Sequence, residues 1–152
     1  MAARRIYLAS SWRNPYYFDV LAALRAAGHV CYDFRNPAPG NKGFAWSEMD
    51  PEWQSWSPEK YASLIHGGIP AAGFALDKAA MDWADTCVLL LPSGRSAHIE
   101  AGYMVGRGKP TFILLNEKGF EPELMYLLAD GIHTTVQQVV EALDCLPEVH
   151  AA

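Results

Sequence analysis

Apolar and polar residues follow one another in blocks along this chain, and the blocks predict strands and helices in turn. Residues 5–9 (RIYLA) are short, apolar and β-prone, and predict a first strand. Over 15–27 the apolar positions Phe18, Leu21, Ala22 and Leu24 recur at helical spacing, and Gly28 supplies a natural end to that helix. Residues 29–34 (HVCYDF) predict the second strand. Residues 71–84 predict a helix with Phe74, Ala75, Met81 and Ala84 on or near one face. Residues 86–91 (TCVLLL) are apolar without a break, as a central strand is when helices cover both faces of a parallel sheet. A helix over 96–107, a strand over 110–115 (PTFILL), a short helix over 122–129, a short strand over 131–134 and a last helix over 135–143 complete the pattern.

Such alternation predicts an α/β fold: one domain over 1–152, with a parallel sheet and helices on both faces. Right-handed crossovers favour a doubly wound, flavodoxin-like arrangement of five strands in the order 2-1-3-4-5. No internal repeat is visible, and the tail, 147–152, is expected to fray. The stretch 35–58 breaks the pattern. It is rich in Pro and Gly and carries Trp46, Trp53 and Trp56. A long loop in a compact domain is usually functional or disordered, and disordered segments are poor in aromatics. Two readings remain open: an ordered lid in which Phe44 or Trp46 offers a flat face to a planar ligand, or aromatics that cover a sheet edge or a subunit interface.

Composition narrows the function. With 152 residues, 51% of them hydrophobic and 19% charged, the chain can bury a core and is not disordered overall. A net charge of −5 argues against a broad nucleic-acid-binding face, while leaving room for a local basic pocket. The longest apolar run, 87–91, is too short to span a bilayer, and the start MAARRIYLAS does not read as a signal peptide. Cys31, Cys87 and Cys145 lack ligand spacing and read as reduced, packed thiols of a cytoplasmic protein. The five histidines are scattered, so no metal is expected, and no cofactor.

In a doubly wound sheet, ligands bind beyond the carboxyl ends of the strands where strand order reverses, here between strands 1 and 3. Strand 1 runs into Ser10-Ser11-Trp12-Arg13. Strand 3 runs into Pro92-Ser93-Gly94-Arg95-Ser96-Ala97-His98-Ile99-Glu100 and opens a helix. Free N–H groups at a helix start attract anions, and arginine recognises phosphate or carboxylate. With the N-cap near Ser96, Glu100 falls about one turn into the helix, where the helix start and a nearby arginine favour its ionised form. An ionised carboxylate in a sugar-sized cleft can attack an anomeric carbon. The plain alternative is an acid that only complements the helix dipole. His98 does not share a face with Glu100 and is read as a surface residue rather than a phosphate contact.

The run from Ser93 to Tyr103, followed by Gly106, Gly108, Lys109 and Pro110, resembles the signature of the nucleoside 2-deoxyribosyltransferase family, which also holds nucleoside 5'-monophosphate N-glycosidases. The resemblance implies that Glu100 is the catalytic nucleophile. It matches Ser11 and Arg13 to the serine and arginine with which the phosphate-using branch binds its substrate. It matches Tyr7 to a tyrosine lining the active site, and Asp77 to a second carboxylate that handles the proton of the base or sugar. It covers strand 1, the stretch 77–110 and, weakly, 121–125.

Two departures shape the expectation. The span from strand 3 to Glu100 is one residue longer, which leaves open whether Ser93, Gly94 or Ser96 contacts the phosphate, with Arg95 beside them. Glu123 stands where the transferases carry an asparagine before Leu124 and Met125, a segment that reaches a neighbouring subunit's site. The expected reaction is therefore cleavage of the N-glycosidic bond of a nucleoside or its 5'-monophosphate, hydrolysis rather than base exchange. The expected partners are this small-molecule substrate and further copies of the chain, as homodimer or larger homo-oligomer, with no polymeric nucleic acid and no membrane. A nucleotide-sensing domain without catalysis is the competing class. A flavin protein is disfavoured because the turn after strand 1 lacks the run of hydroxyl and glycine residues that would wrap a flavin phosphate.

Overall fold

A computed structural model of the chain describes residues 3–116 and 120–148. Its order is β1 (Arg5–Ala9), α1 (Tyr17–Ala26), β2 (Val30–Tyr32), α2 (Pro58–Leu64), α3 (Gly68–Trp83), β3 (Thr86–Leu91), α4 (Arg95–Gly106), β4 (Thr111–Leu115), β5 (Gly131–His133) and α5 (Val136–Asp144). The strands form one parallel sheet of five in the order β2-β1-β3-β4-β5. The fold is thus the flavodoxin-like α/β arrangement that the block pattern predicts. Every residue of β3 is buried, which explains why that strand carries no polar alternation.

Sheet direction turns at β1. The chain moves one way through α1 to β2 and the other way through α4 to β4, so right-handed crossovers put α1 and α4 on opposite faces. α1 packs against α5, and α4 lies on β3, β1 and β4. α1 ends as predicted at Gly28, whose φ is +93°. The Gly28 N–H donates to Arg25 O and the His29 N–H to Leu24 O, a Schellman closure that needs a left-handed residue. Gly108 closes α4 in the same way, with Gly108 N–H on Val105 O and Lys109 N–H on Met104 O.

Several expectations are corrected. The buried face of α1 is Tyr17, Val20, Leu21 and Leu24, while Phe18 is 55% exposed and Ala22 is exposed. Tyr17 starts the apolar stripe, and the three- and four-residue steps from it bypass position 18. In α3, Met81 is buried with Ala80 and Pro70, whereas Phe74 and Ala75 lie exposed. The short helix at 122–129 is a 3-10 turn, Leu124–Leu128, since no side chain caps so short a segment. Cys31 and Cys87 are buried, free thiols, but Cys145 is exposed. The tail expected to fray lies outside the described residues from 149 onward. No helix among the described residues is long and apolar enough to cross a membrane.

The chain divides into two compact units, 33–82 and the remainder. The larger unit contains the sheet. The smaller one contains α2 and all but the last residue of α3, and it has ordered structure where a long loop is expected. Ser57 Oγ accepts the Lys60 N–H and Pro58 opens α2. Trp46 is its aromatic centre. Phe44, Trp56 and Tyr61 meet the Trp46 ring at centroid distances of 4.7, 5.9 and 6.0 Å, all edge to face. Asp50 is its polar centre: Oδ2 accepts Trp56 Nε1–H at 2.7 Å and Lys60 Nζ at 3.1 Å, and Oδ1 accepts Glu52 N–H at 2.9 Å. These bonds, the Trp56 one foremost, pull the Asp50 carboxyl down to about 2.

Candidate active site

The carboxyl ends of β1 and β3 are tied together by side chains. Ser10 Oγ donates to Leu90 O at 2.9 Å. Asn14 Nδ2 donates to Ser10 Oγ at 2.9 Å and to Pro92 O at 3.1 Å, with a longer contact to Leu90 O at 3.4 Å. Asn14 Oδ1 accepts the Tyr16 N–H at 2.8 Å at the entry to α1. The Leu91–Pro92 peptide is cis. The two predicted anion loops therefore leave the sheet from one hydrogen-bonded junction.

Ser11 and Arg13 occupy a tight turn on this junction. The Arg13 N–H donates to Ser11 Oγ at 3.2 Å, and the Asn14 N–H to Ser11 O at 3.0 Å. The Arg13 side chain is exposed. Across the junction, the N-cap of α4 is Gly94 in extended conformation, and no side chain caps the helix start. Arg95 and Ser96 are exposed in the first turn. The Ser93 hydroxyl is buried and makes no hydrogen bond among the described residues. A helix start with no side-chain cap and an arginine in its first turn is chemically suited to an anion.

Because α4 begins at Arg95, Glu100 is its sixth residue and lies deeper than a Ser96 cap would place it. The helix dipole acts mainly within the first turn, so it contributes little to the charge of Glu100. Glu100 is half-buried. Burial, and after it the charge of Glu100, push the Cys87 thiol up. Cys87 is the register partner of Tyr7 on β1, and register partners in parallel strands share a face. Tyr7 is 1% exposed and stacks on its other neighbour, Tyr32, at 5.7 Å. Glu100 is carried by α4, which packs on β3 and β1, the strands of Cys87 and Tyr7.

His98 is not the free surface residue expected. Its ring is half-buried, stacks on Tyr126 at 5.7 Å, and uses both nitrogens. Nδ1 lies 2.8 Å from Gly94 O, which can only accept, so Nδ1 carries the proton. Nε2, 2.8 Å from the Tyr126 hydroxyl, then accepts from it. Burial, then Glu123 and Glu121, raise the Tyr126 pKa and keep that donor protonated. Tyr126 therefore turns inward, while Met125 is 63% exposed beside it.

Asp77, Phe44 and Trp46 belong to the smaller unit. Asp77 is half-buried in α3. Phe44 packs over Gly73, where a Cβ would lie 3.1 Å from the Phe44 Cβ, so that helix position admits the ring because it has no side chain. Asn14, Ser10 and Tyr126 are absent from the predicted set. A short polar residue before a proline signals a turn, but its partners 76 and 78 positions away leave no local trace. Among the described residues no cluster of three or more His, Cys, Asp or Glu could hold a metal ion.

No family model matches the chain, and no curated protein matches it. Solved structures do. A 2-deoxyribosyltransferase from the psychrotolerant bacterium Bacillus psychrosaccharolyticus is similar at 22% identity and a TM-score of 0.57, over 89% of this chain and 89% of that one. The CMP N-glycosidase BcmB of Clostridium botulinum aligns over 91% of this chain and 96% of its own, at 16% identity and a TM-score of 0.46. The likeness to the deoxyribosyltransferase is one of fold, over nearly the full length of both chains.

Proposed function

We propose that this chain is an enzyme of the nucleoside 2-deoxyribosyltransferase family that cleaves the N-glycosidic bond of a nucleoside 5'-monophosphate by hydrolysis. The observation that supports the reading is that the loops bearing Ser11, Arg13 and the uncapped start of α4 leave β1 and β3 from one hydrogen-bonded junction, with α4, the helix of Glu100, packed on both strands. The shared fold with a 2-deoxyribosyltransferase and the sequence motif around Glu100 support the same class.

In this mechanism the phosphate binds Ser11, Arg13 and the Ser93–Ser96 turn, which sets C1' against the carboxylate. Glu100 attacks C1' as the base departs with its bonding pair, giving a glutamyl-ribosyl ester; Asp77 or water protonates the leaving base. Water then attacks C1', the C1'–Oε bond breaks to return the Glu100 carboxylate, and the proton lost by water passes to the group that protonated the base, releasing (deoxy)ribose 5-phosphate. Tyr7 is assigned to the wall of the site, and Phe44 and Trp46 remain the residues assigned to the planar base. The reading includes a homodimer or larger oligomer, because Leu124, Met125, Leu127 and Leu128 are 77, 63, 76 and 58% exposed in one short turn. Sedimentation at working concentration should find no monomer; a pure monomer overturns that part.

The deciding experiment incubates the protein with ribo- and deoxyribonucleoside 5'-monophosphates and their nucleosides, with and without an added free base. Release of base from monophosphates alone, abolished in Glu100→Ala, is the expected result. A new nucleoside formed only with added base would make the enzyme a transferase and remove the phosphate assignment. Binding without turnover across the panel would make it a sensing domain.

A further inference from the structure

We propose that Asn14 is the positioning residue of the anion site: it sets the separation of the β1 and β3 loops so that both engage one phosphate. The inference rests on the nucleotide reading above. Asn14 is 2% exposed, so its amide is withdrawn from water and depends on protein partners. Ser10 Oγ, Pro92 O and Leu90 O receive its N–H groups, and the Tyr16 N–H donates to its oxygen. The Ser10 hydroxyl donates its own hydrogen bond to Leu90 O. Both loops begin within a residue or two of this knot. Arg13 precedes Asn14, and Ser93 follows Pro92. A shift at the knot is carried at once to the arginine on one side and to the α4 start on the other.

An amide is required because the knot needs donors toward β3 and an acceptor toward α1 together. An aspartate supplies only the acceptor. Asn14→Asp therefore keeps the α1 contact and loses the link to Pro92 O and Leu90 O, whereas Asn14→Ala loses both without adding charge. Ser10→Ala removes the hydroxyl link alone and is the mildest of the three.

The test measures calorimetric binding of ribose 5-phosphate, with ribose as the phosphate-free control, alongside thermal unfolding. The wild type is expected to prefer ribose 5-phosphate. Asn14→Asp and Asn14→Ala should each weaken ribose 5-phosphate by about tenfold, the scale of one or two lost hydrogen bonds, and leave ribose unchanged. Ser10→Ala should give a smaller loss of the same selectivity, and it decides the matter if the Asn14 variants do not fold. In turnover, kcat/KM for the monophosphate falls by a similar factor while kcat/KM for the unphosphorylated nucleoside changes less. Equal losses for both ligands, or unchanged binding in folded variants, overturn the inference and leave the nucleotide reading standing. A wild type without preference for the phosphate overturns the reading, and the inference with it.

Discussion

The junction beneath the anion loops and the 33–82 unit are held together by different physics. The junction rests on short, directional hydrogen bonds from Asn14 and Ser10 to buried carbonyls. The 33–82 unit rests on edge-to-face aromatic contacts around Trp46, with one acid, Asp50, gathering three donors. Directional bonds fix atoms to tenths of an ångström, which the proposed attack at a sugar carbon would demand. Aromatic contacts tolerate substitution more readily while still excluding water. The difference separates a part that must be exact in geometry from a part that can vary in shape.

That contrast can be broken in three places. The largest effect is expected at Glu100. Glu100→Ala should lower base release by about a thousandfold or more while leaving the melting temperature close to wild type, since a nucleophile contributes to the barrier and little to the core. Steady-state kinetics with thermal unfolding reads both, and a fully active variant would end the mechanism.

Next is Trp46. Trp46→Ala should destabilise the 33–82 unit by about 2 kcal/mol, less than the loss of a fully buried aromatic because Trp46 is half-buried. Limited proteolysis should then cut within 33–58 before the sheet is touched. Uniform resistance would mean that the aromatic cluster is not what orders the segment.

The smallest effect is in the pH dependence of stability. Burial lowers the His29 pKa in the folded sheet unit, offset in part by Asp144. The unfolded chain then binds the proton more readily, so stability is full above the ordinary value of 6.5 and falls as the pH drops below it. Asp50 has the opposite chemistry but the same direction. Its folded pKa of about 2 lies below the ordinary 3.8, so its contribution is present above 3.8 and is lost as the pH falls toward 2. Melting temperature against pH should therefore decline in two stages, the upper removed by His29→Gln and the lower by Asp50→Asn. A single stage would erase the distinction between the two regions.

Legibility in the sequence divides along the same line. The sheet was readable because β3 is one apolar run, because Gly28 closes α1, and because crossovers have one hand. The loops bearing Ser11, Arg13 and Ser93–Ser96 were readable as a motif. The knot beneath them was not, because Asn14 finds its acceptors through the β1–β3 pairing and not through its neighbours. Tyr126 escaped for the same reason: its partner, His98, is 28 positions away. Within 35–58 the tryptophans announced order, but composition alone does not say which ring becomes the centre, and the faces of α1 and α3 shifted where Phe18 and Phe74 turned outward.

The pairing of β1 with β3 also bears on how the chain reaches its native state. Ser10 and Leu90, joined by a hydrogen bond, are 80 positions apart in sequence. Bringing such ends together costs entropy that grows with the logarithm of the intervening length. The contacts of 33–82 are local by comparison, and α2, α3 and the Trp46 cluster can form before the central strands meet. Early collapse of that segment shortens the span to be closed and lowers the closure cost by about 1 kcal/mol. An aromatic insert that collapses first would thereby speed assembly of the sheet, an effect that folding kinetics of Trp46→Ala would read as slower refolding.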